Sequence, residues 1–360
     1  MAPADGRTES IDAPYPPLQS PAVLPAASGS RAAAAAPLRI GFSGFWDSFD
    51  PHDNWFTRLL SQRWSIKITD RPDWLIYSRI GRRRHDHLGH DCVRILYTGE
   101  NEAPDWQTCD WAFTFGHLRH PRHYRLPLWG LYGDPARLIH RPDRDPRAIV
   151  AAKTRFCSFV VSNPLCPQRN AFFHRLSRYR PVDSGGRLFN TLGRRVDDKM
   201  AFIAESKFTI AFENESSPGY TTEKVMEPML VDSIPIYWGD PLVGHDFDTR
   251  SFLSAHDSPT IEYLVERVIT VDRDPDLHAR LLGTPWLRGN RVPGCVAAER
   301  VLDQFARIFS TPVEPVAKQR GMARGLRLHR LPATVTSLRQ RIRRRWLKAT
   351  CPHRDAPYTG

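Results

Sequence analysis

The sequence predicts an α/β protein whose parallel strands fall into two halves. Three observations lead there. Short apolar runs alternate with segments of helical spacing; one run in each half ends in a cluster of polar residues; and a charged, proline-bearing stretch, residues 135–153, lies between the halves. Parallel strands need crossover helices, and open parallel sheets bind ligands beyond the carboxyl ends of their strands. The polar clusters are therefore where chemistry is expected.

In chain order, Leu38 begins a strand, LRIGFSGFW, that runs into a loop. Residues 54–64 carry apolar side chains at helical spacing, and residues 64–68, 74–77, 93–97 and 111–115 are apolar runs of strand length. The run ending at Tyr97 passes into Thr98, Gly99, Glu100, Asn101 and Glu102, a polar strand end. In the second half, residues 158–162 read as a strand, 168–179 as a helix and Ser184-Gly185-Gly186 as a turn. Residues 208–257 then give strand, loop, helix, strand. Phe208, Ile210 and Phe212 lead to Glu213 and Asn214, a Pro/Gly loop follows, a helical pattern starts near Thr222, and residues 234–238 stop at Gly239. Pro228 falls inside that helical pattern; it has no N–H to bond the carbonyl of Lys224, which predicts a kink or a restart. Helical patterns at 261–267 and 296–309 complete the second half.

At 360 residues the chain has the length of about two domains, and 41% hydrophobic with 25% charged residues suits a globular protein. The net charge of +12 is concentrated: residues 318–348 hold eleven Lys or Arg and no acid, so the body is close to balanced. The six cysteines are scattered, with no CxxC pair, and a reduced compartment is the simpler reading. No run reaches the length of a spanning helix, and residues 1–37, rich in Ala, Pro and Ser, lack a basic start followed by an apolar core. They read as disordered.

In the second half the candidates for chemistry are Arg169 near a helix start, Glu213 and Asn214 at a strand end, Tyr220 in the loop, and Glu223 with Lys224 in a first helical turn. Helix-start N–H groups favour an anion, Arg can grip two phosphate oxygens, and Lys supplies a point charge, so a diphosphate cradle without a metal is open to these residues. The plain alternative is a solvated helix start with a surface Arg. In the first half Glu100, after Gly99, could act as general base for a hydroxyl; the alternative is an ordinary loop acid, with Glu102 as its neighbour. Tyr97 reads as core or cleft wall. Two histidine groups, His85, His87 and His90, and His117, His120 and His123, have ligand-type side chains but neither an HExxH nor a finger spacing, and both lie among arginines that repel a cation. They read as polar loops, and no metal is expected.

AFENESSPGYTTEK, followed by SIPIYWGDP and SFLSAHD, resembles the donor-site signature of the α-1,3/1,4-fucosyltransferases, glycosyltransferase family 10, in its bacterial form. The stretch from Tyr97 to Asn101 resembles the family's acceptor-domain motif, and FVVSNPLCPQRNAFFHRLSRYRPVDSGG the start of its donor domain. The likeness runs over residues 38–309. It implies the GT-B arrangement: two facing Rossmann-like domains with a cleft between them, residues 38–153 taking the acceptor and 154–312 holding GDP-fucose, flanked by a disordered segment, 1–37, and a basic tail, 313–360. It further implies Arg169 and Lys224 at the diphosphate, Asn214, Tyr220 and Glu223 lining the donor site, and Glu100 as general base of an inverting transfer to a glycan hydroxyl. Tyr97 and Trp46 are acceptor-side candidates, and no cofactor is called for. The departures are Pro228 and the lack of heptad repeats before the tail.

Within the tail, residues 333–348 could form a basic amphipathic helix on an anionic membrane surface, with a cytoplasmic location and contact at the inner membrane face as the corresponding expectation. A solvated tail is the alternative. A rival reading, a nucleic-acid-binding protein whose tail tracks phosphates, has no recognised motif in the body to support it, so no specific nucleic-acid partner is expected; a GT-B transferase using another sugar nucleotide is the nearer alternative.

Overall fold

The computed structural model describes residues 36–81, 83–312 and 315–317. The expected membrane-binding segment and the N-terminal segment lie outside the described residues. Six parallel strands form a first sheet in the order β2-β1-β3-β4-β5-β6. They are β1 (Leu38–Ser43), β2 (Ile66–Ile68), β3 (Trp74–Tyr77), β4 (Val93–Tyr97), β5 (Trp111–Thr114) and β6 (His123–Arg125). Strands β3, β4 and β5 are buried along their whole length, which is why they read as continuous apolar runs rather than alternating ones. Arg94 in β4 is the charged exception: its N–H donates to the Asp110 carboxylate and its guanidinium to the Thr108 carbonyl.

Five parallel strands form a second sheet in the order β11-β10-β9-β7-β8. These are β7 (Arg155–Phe159), β8 (Asp183–Ser184), β9 (Ser206–Phe212), β10 (Ile234–Trp238) and β11 (Leu253–Ser254). Among the described residues eight α-helices accompany the sheets: α1 (Trp55–Leu60), α2 (Pro146–Ala152), α3 (Pro167–Leu176), α4 (Lys199–Ala204), α5 (Glu223–Leu230), α6 (Ile261–Arg273), α7 (Pro275–Gly283) and α8 (Ala298–Ser310). Each sheet changes winding direction once, at β1/β3 in the first and at β7/β9 in the second. Such switch points leave a crevice at the strands' carboxyl ends.

Several expectations are corrected. The strand expected at 158–162 begins at Arg155, and the helix expected at 261–267 runs on to Arg273 and is followed at once by α7. A Pro at N1 and the Asp274 carboxylate, which accepts from the Leu277 N–H, start that second helix. Helix α5 runs through Pro228 instead of breaking there, because in a helix of eight residues only one internal bond is lost and the chain stops two residues later. Helix α8, expected to complete the second half, packs on the first sheet: Phe305 stacks on Phe113, and Phe309 meets Trp64 and Trp74 edge-on. Conversely, α2 lies against the second half, with Arg147 paired to Asp276 at 2.9 Å. The chain therefore crosses between the halves twice. Among the described residues no helix is long and apolar enough to cross a membrane.

Candidate functional site

The carboxyl ends of β7 and β9 meet at the second sheet's switch point, and Arg169 sits beneath them. Pro167 starts α3, and the third residue of that helix points back under β9. The guanidinium donates to the carbonyls of Phe212 (3.1 Å) and Asn163 (2.6 Å) and to Asn214 Oδ1 (3.1 Å). Its side chain is enclosed, at 0% exposure, which differs from a side chain gripping a diphosphate directly. Burial lowers its pKa, and its hydrogen bonds go to neutral oxygens rather than to a carboxylate. A cation is thus held at the strand end without a direct ion pair, in a place where burying an unpaired charge is costly.

Beyond β9 the chain turns through a loop into α5, and Glu213 organises that turn. Its carboxylate, fully buried, accepts from the Thr222 N–H and hydroxyl, both at 2.7 Å, and lies 3.3 Å from Lys224 Nζ. A side chain at Gly239 would collide with it, so the end of β10 has to be glycine here. Thr222 caps α5. Lys224 Nζ donates to Thr222 Oγ1 at 3.0 Å and to Glu223 Oε1 at 3.2 Å, while its side chain keeps 21% exposure. Burial works against the ammonium, but the carboxylates of Glu223 and Glu213 outweigh it and raise the Lys224 pKa. For Glu223, Lys224 and Lys199 overcome burial and lower the pKa; for Glu213, burial wins and raises it. The Glu223 and Lys224 pair is therefore ionised in the working pH range.

The loop between β9 and α5 reaches the first sheet. Asp240, after β10, accepts from the Gly219 N–H (2.7 Å), the Thr221 hydroxyl (2.9 Å) and the Leu242 N–H (2.7 Å). Held this way, Gly219 takes φ +89° and approaches the Phe115 carbonyl so closely that a Cβ could not be accommodated. Tyr220, buried, packs edge-on against the Phe115 ring at 4.9 Å. Two polar links cross the same boundary. Asn101 Nδ2 donates to Glu215 Oε2 at 3.3 Å, and Arg125 of β6 pairs with Asp246 through both guanidinium nitrogens, at 2.9 and 2.7 Å.

Glu100 follows β4 in a turn where the Thr98 hydroxyl accepts from the Glu100 N–H at 3.0 Å. It is half-buried and one residue from the Asn101 bridge, so the structure brings its turn to the loop that carries Asn214 and Tyr220 and leads into α5. Tyr97 is not in that space: at 2% exposure it packs edge-on against Phe56 in the core, and its side chain is withdrawn from any acceptor. Trp46 is half-buried beyond β1, away from β4, where its ring lies edge-on to Phe49. The histidines are spread among separate contacts. His87 stacks on Tyr77, His120 stacks on Trp106, and His123 Nε2 lies 2.9 Å from Thr114 Oγ1. Among the described residues no group of three or more His, Cys, Asp or Glu is placed to hold a metal ion.

Residue-type reasoning passed over Thr222, Gly239 and Asp240, and gave Glu213 no role. Glu213 directly follows an apolar strand run and Asp240 follows one after a single glycine, the same signal that marked Asn214 and Glu100. What was invisible is their burial.

Two family models match the chain: an α-(1,3)-fucosyltransferase FucT N-terminal domain over residues 40–132, and the C-terminal part of the glycosyltransferase family 10 fucosyltransferases over 150–292. The α-(1,3)-fucosyltransferase FucT of Helicobacter pylori is 31% identical over 270 residues, covering 64% of this chain; the chain spans 56% of that relative's length. A crystal structure of an α1,3-fucosyltransferase superposes with a TM-score of 0.67 at 26% identity, covering 79% of this chain and 92% of that one. A crystal structure of an α1,3-fucosyltransferase with GDP-fucose gives a TM-score of 0.63 at 26% identity, covering 80% and 95% of the two chains. The two sheet domains facing each other are the GT-B arrangement of those structures.

Proposed function

We propose a reaction for this chain on the premise that it belongs to glycosyltransferase family 10, the fucosyltransferases. It moves L-fucose from GDP-fucose to a hydroxyl of a glycan, on an N-acetylglucosamine or glucose residue in α-1,3 or α-1,4 linkage, with inversion at the fucose anomeric carbon. Glu100 takes the proton from the acceptor hydroxyl. The hydroxyl oxygen attacks the anomeric carbon as its bond to the β-phosphate oxygen breaks, and GDP departs with the electron pair. Lys224 meets the charge growing on the leaving diphosphate, and Glu223 faces the positive character of the sugar ring. Arg169 acts from beneath: its charge supports the anion through the strand end that it fixes, and it sets Asn214. In this scheme protein cations do the work for which other transferases use a metal ion.

One observation supports the reading: Asn101, beside Glu100, donates to Glu215, beside Asn214, so the turn that carries Glu100 touches the loop that leads to the cationic helix start of the second sheet. Incubation with GDP-fucose and N-acetyllactosamine should release GDP and form an α-fucosylated product, with the linkage read by NMR and the rate unchanged by EDTA. A protein that neither binds nor consumes GDP-fucose would overturn the reaction.

A further inference from the structure

The second sheet's switch point is occupied by the Arg169 and Asn214 contact, but the first sheet's is not accounted for by Glu100. Glu100 follows β4, whereas that sheet reverses its winding at β1/β3. Outside the carboxyl ends of β1 and β2 lies a cavity of about 840 Å³, lined by the loop from Gly44 to His52, by Thr69 and Asp70 after β2, and by Arg83 and His90. Its surface is more polar than apolar, and one side of it is aromatic: Phe45 and Phe49 are stacked with centroids 4.1 Å apart, and Trp46 stands edge-on to both. Its rim is polar, with Asp47, Asp70 and His90. Flat rings beside groups that both donate and accept hydrogen bonds suit a pyranose, which offers an apolar C–H face and a hydroxyl edge.

The cavity and Glu100 share one edge of one sheet. All the strands are parallel, so their carboxyl ends align, and β3 alone separates β1 from β4, a span of about 10 Å at ordinary strand spacing. That is the reach of a disaccharide. The turn after β3 joins the two places: the N–H groups of Ile80 and Gly81 donate to the Gly44 carbonyl on the cavity side, while Ile80 packs near Gly99 and Arg79 faces Glu102 on the Glu100 side.

We propose that this cavity is a subsite for the outer sugars of an extended oligosaccharide acceptor, with Trp46 and Phe49 as its stacking wall and Asp70 at its rim. The inference rests on the fucosyl-transfer reading and deepens it: the substrate class is a glycan chain of about three or more sugars rather than a free monosaccharide or disaccharide.

The test compares a galactose/N-acetylglucosamine disaccharide with the tetrasaccharide that repeats it, in the full-length protein. The wild type should favour the tetrasaccharide by roughly tenfold in kcat/KM, carried by KM. In Trp46→Ala that ratio should fall to near one. Asp70→Asn, at an exposed position, should lower it in part and serves where the tryptophan variant does not fold. Equal kcat/KM for the two lengths in the wild type, or a ratio that survives both substitutions, overturns the subsite. Release of GDP from GDP-fucose without acceptor, and saturation-transfer NMR of the tetrasaccharide without donor, separate the two readings. Tetrasaccharide signals that vanish in Trp46→Ala while no GDP is ever released would uphold the cavity and sink the reaction; GDP release with no tetrasaccharide signal would do the reverse.

Discussion

The two strand ends that face each other across the cleft are built in opposite ways. On the second sheet, two buried carboxylates and a buried guanidinium brace the loop: Glu213 fixes Thr222 and Lys224, Asp240 fixes Gly219 and Thr221, and Arg169 fixes Asn214. On the first sheet, a short turn carries Glu100, and the neighbouring switch point is an open cavity with an aromatic wall. A network that is largely buried and tied by many hydrogen bonds favours one geometry, which suits a ligand that never varies. An open cavity tolerates different occupants. On the fucosyl-transfer reading, the contrast means that donor recognition is pre-organised, while acceptor recognition is left to a surface that loops can alter.

The largest expected break in this contrast is at the less braced end. Glu100→Gln keeps the shape of the turn and removes the proposed base, so turnover should fall by about 10²–10⁴-fold while the GDP Kd measured by calorimetry stays near the wild-type value. An unchanged rate would take Glu100 out of the base role. Lys224→Ala strikes the braced end and should do two things together. Loss of a charged contact raises the GDP Kd roughly 10–100-fold. Loss of the counter-charge to buried Glu213 also costs about 3 kcal/mol of stability by urea denaturation. A change in affinity with no change in stability would show that Glu213 does not depend on its lysine.

Much of the frame was legible in the sequence because it rests on periodicity. Apolar runs marked β3, β4 and β10 with their observed bounds, and the strand, loop, helix, strand order around Asn214 follows from the position of the apolar blocks. Tertiary choices were not legible. Helix α8 has an apolar stripe that says it must be covered but not by which sheet, and it goes to Phe113 rather than to the second half. Arg169 looked like a surface charge or a phosphate clamp, since a charged residue at a helix start is ordinarily exposed; only the fold shows it enclosed beneath β9. The Asn101 to Glu215 contact joins residues 114 positions apart, beyond the reach of any local pattern.

The two halves share one weakness, which sets the next effect. His87, behind the first sheet, and His278, against Phe208 in the second, are both buried, and burial lowers the pKa of each to about 4. The unfolded chain, with histidines near 6.5, binds more protons between those values. Stability is therefore full above about pH 6.5 and is lost as pH falls towards about 4, by at most roughly 3 kcal/mol per histidine. Urea midpoints measured down that range should fall, and His278→Phe should remove part of the slope. A flat profile would mean that one or both rings find a proton acceptor on acidification.

The smallest effect probes the seam itself. Asn101 and Glu215 are partly open to solvent, and their hydrogen bond at 3.3 Å is long, so its net worth is about 0.5–1 kcal/mol. Asn101→Ala should lower the urea midpoint only slightly, because the bidentate Arg125 to Asp246 pair and the packing of Tyr220 on Phe115 still hold the halves together. What should move is the register between Glu100 and the donor loop. A small displacement there is felt in the transition state more than in either binding step, so kcat should drop a few-fold with the KM for GDP-fucose nearly constant. If KM for the donor rises instead, the bridge belongs to the braced end and helps to shape the donor loop; if neither constant changes, the packed contacts alone set the register.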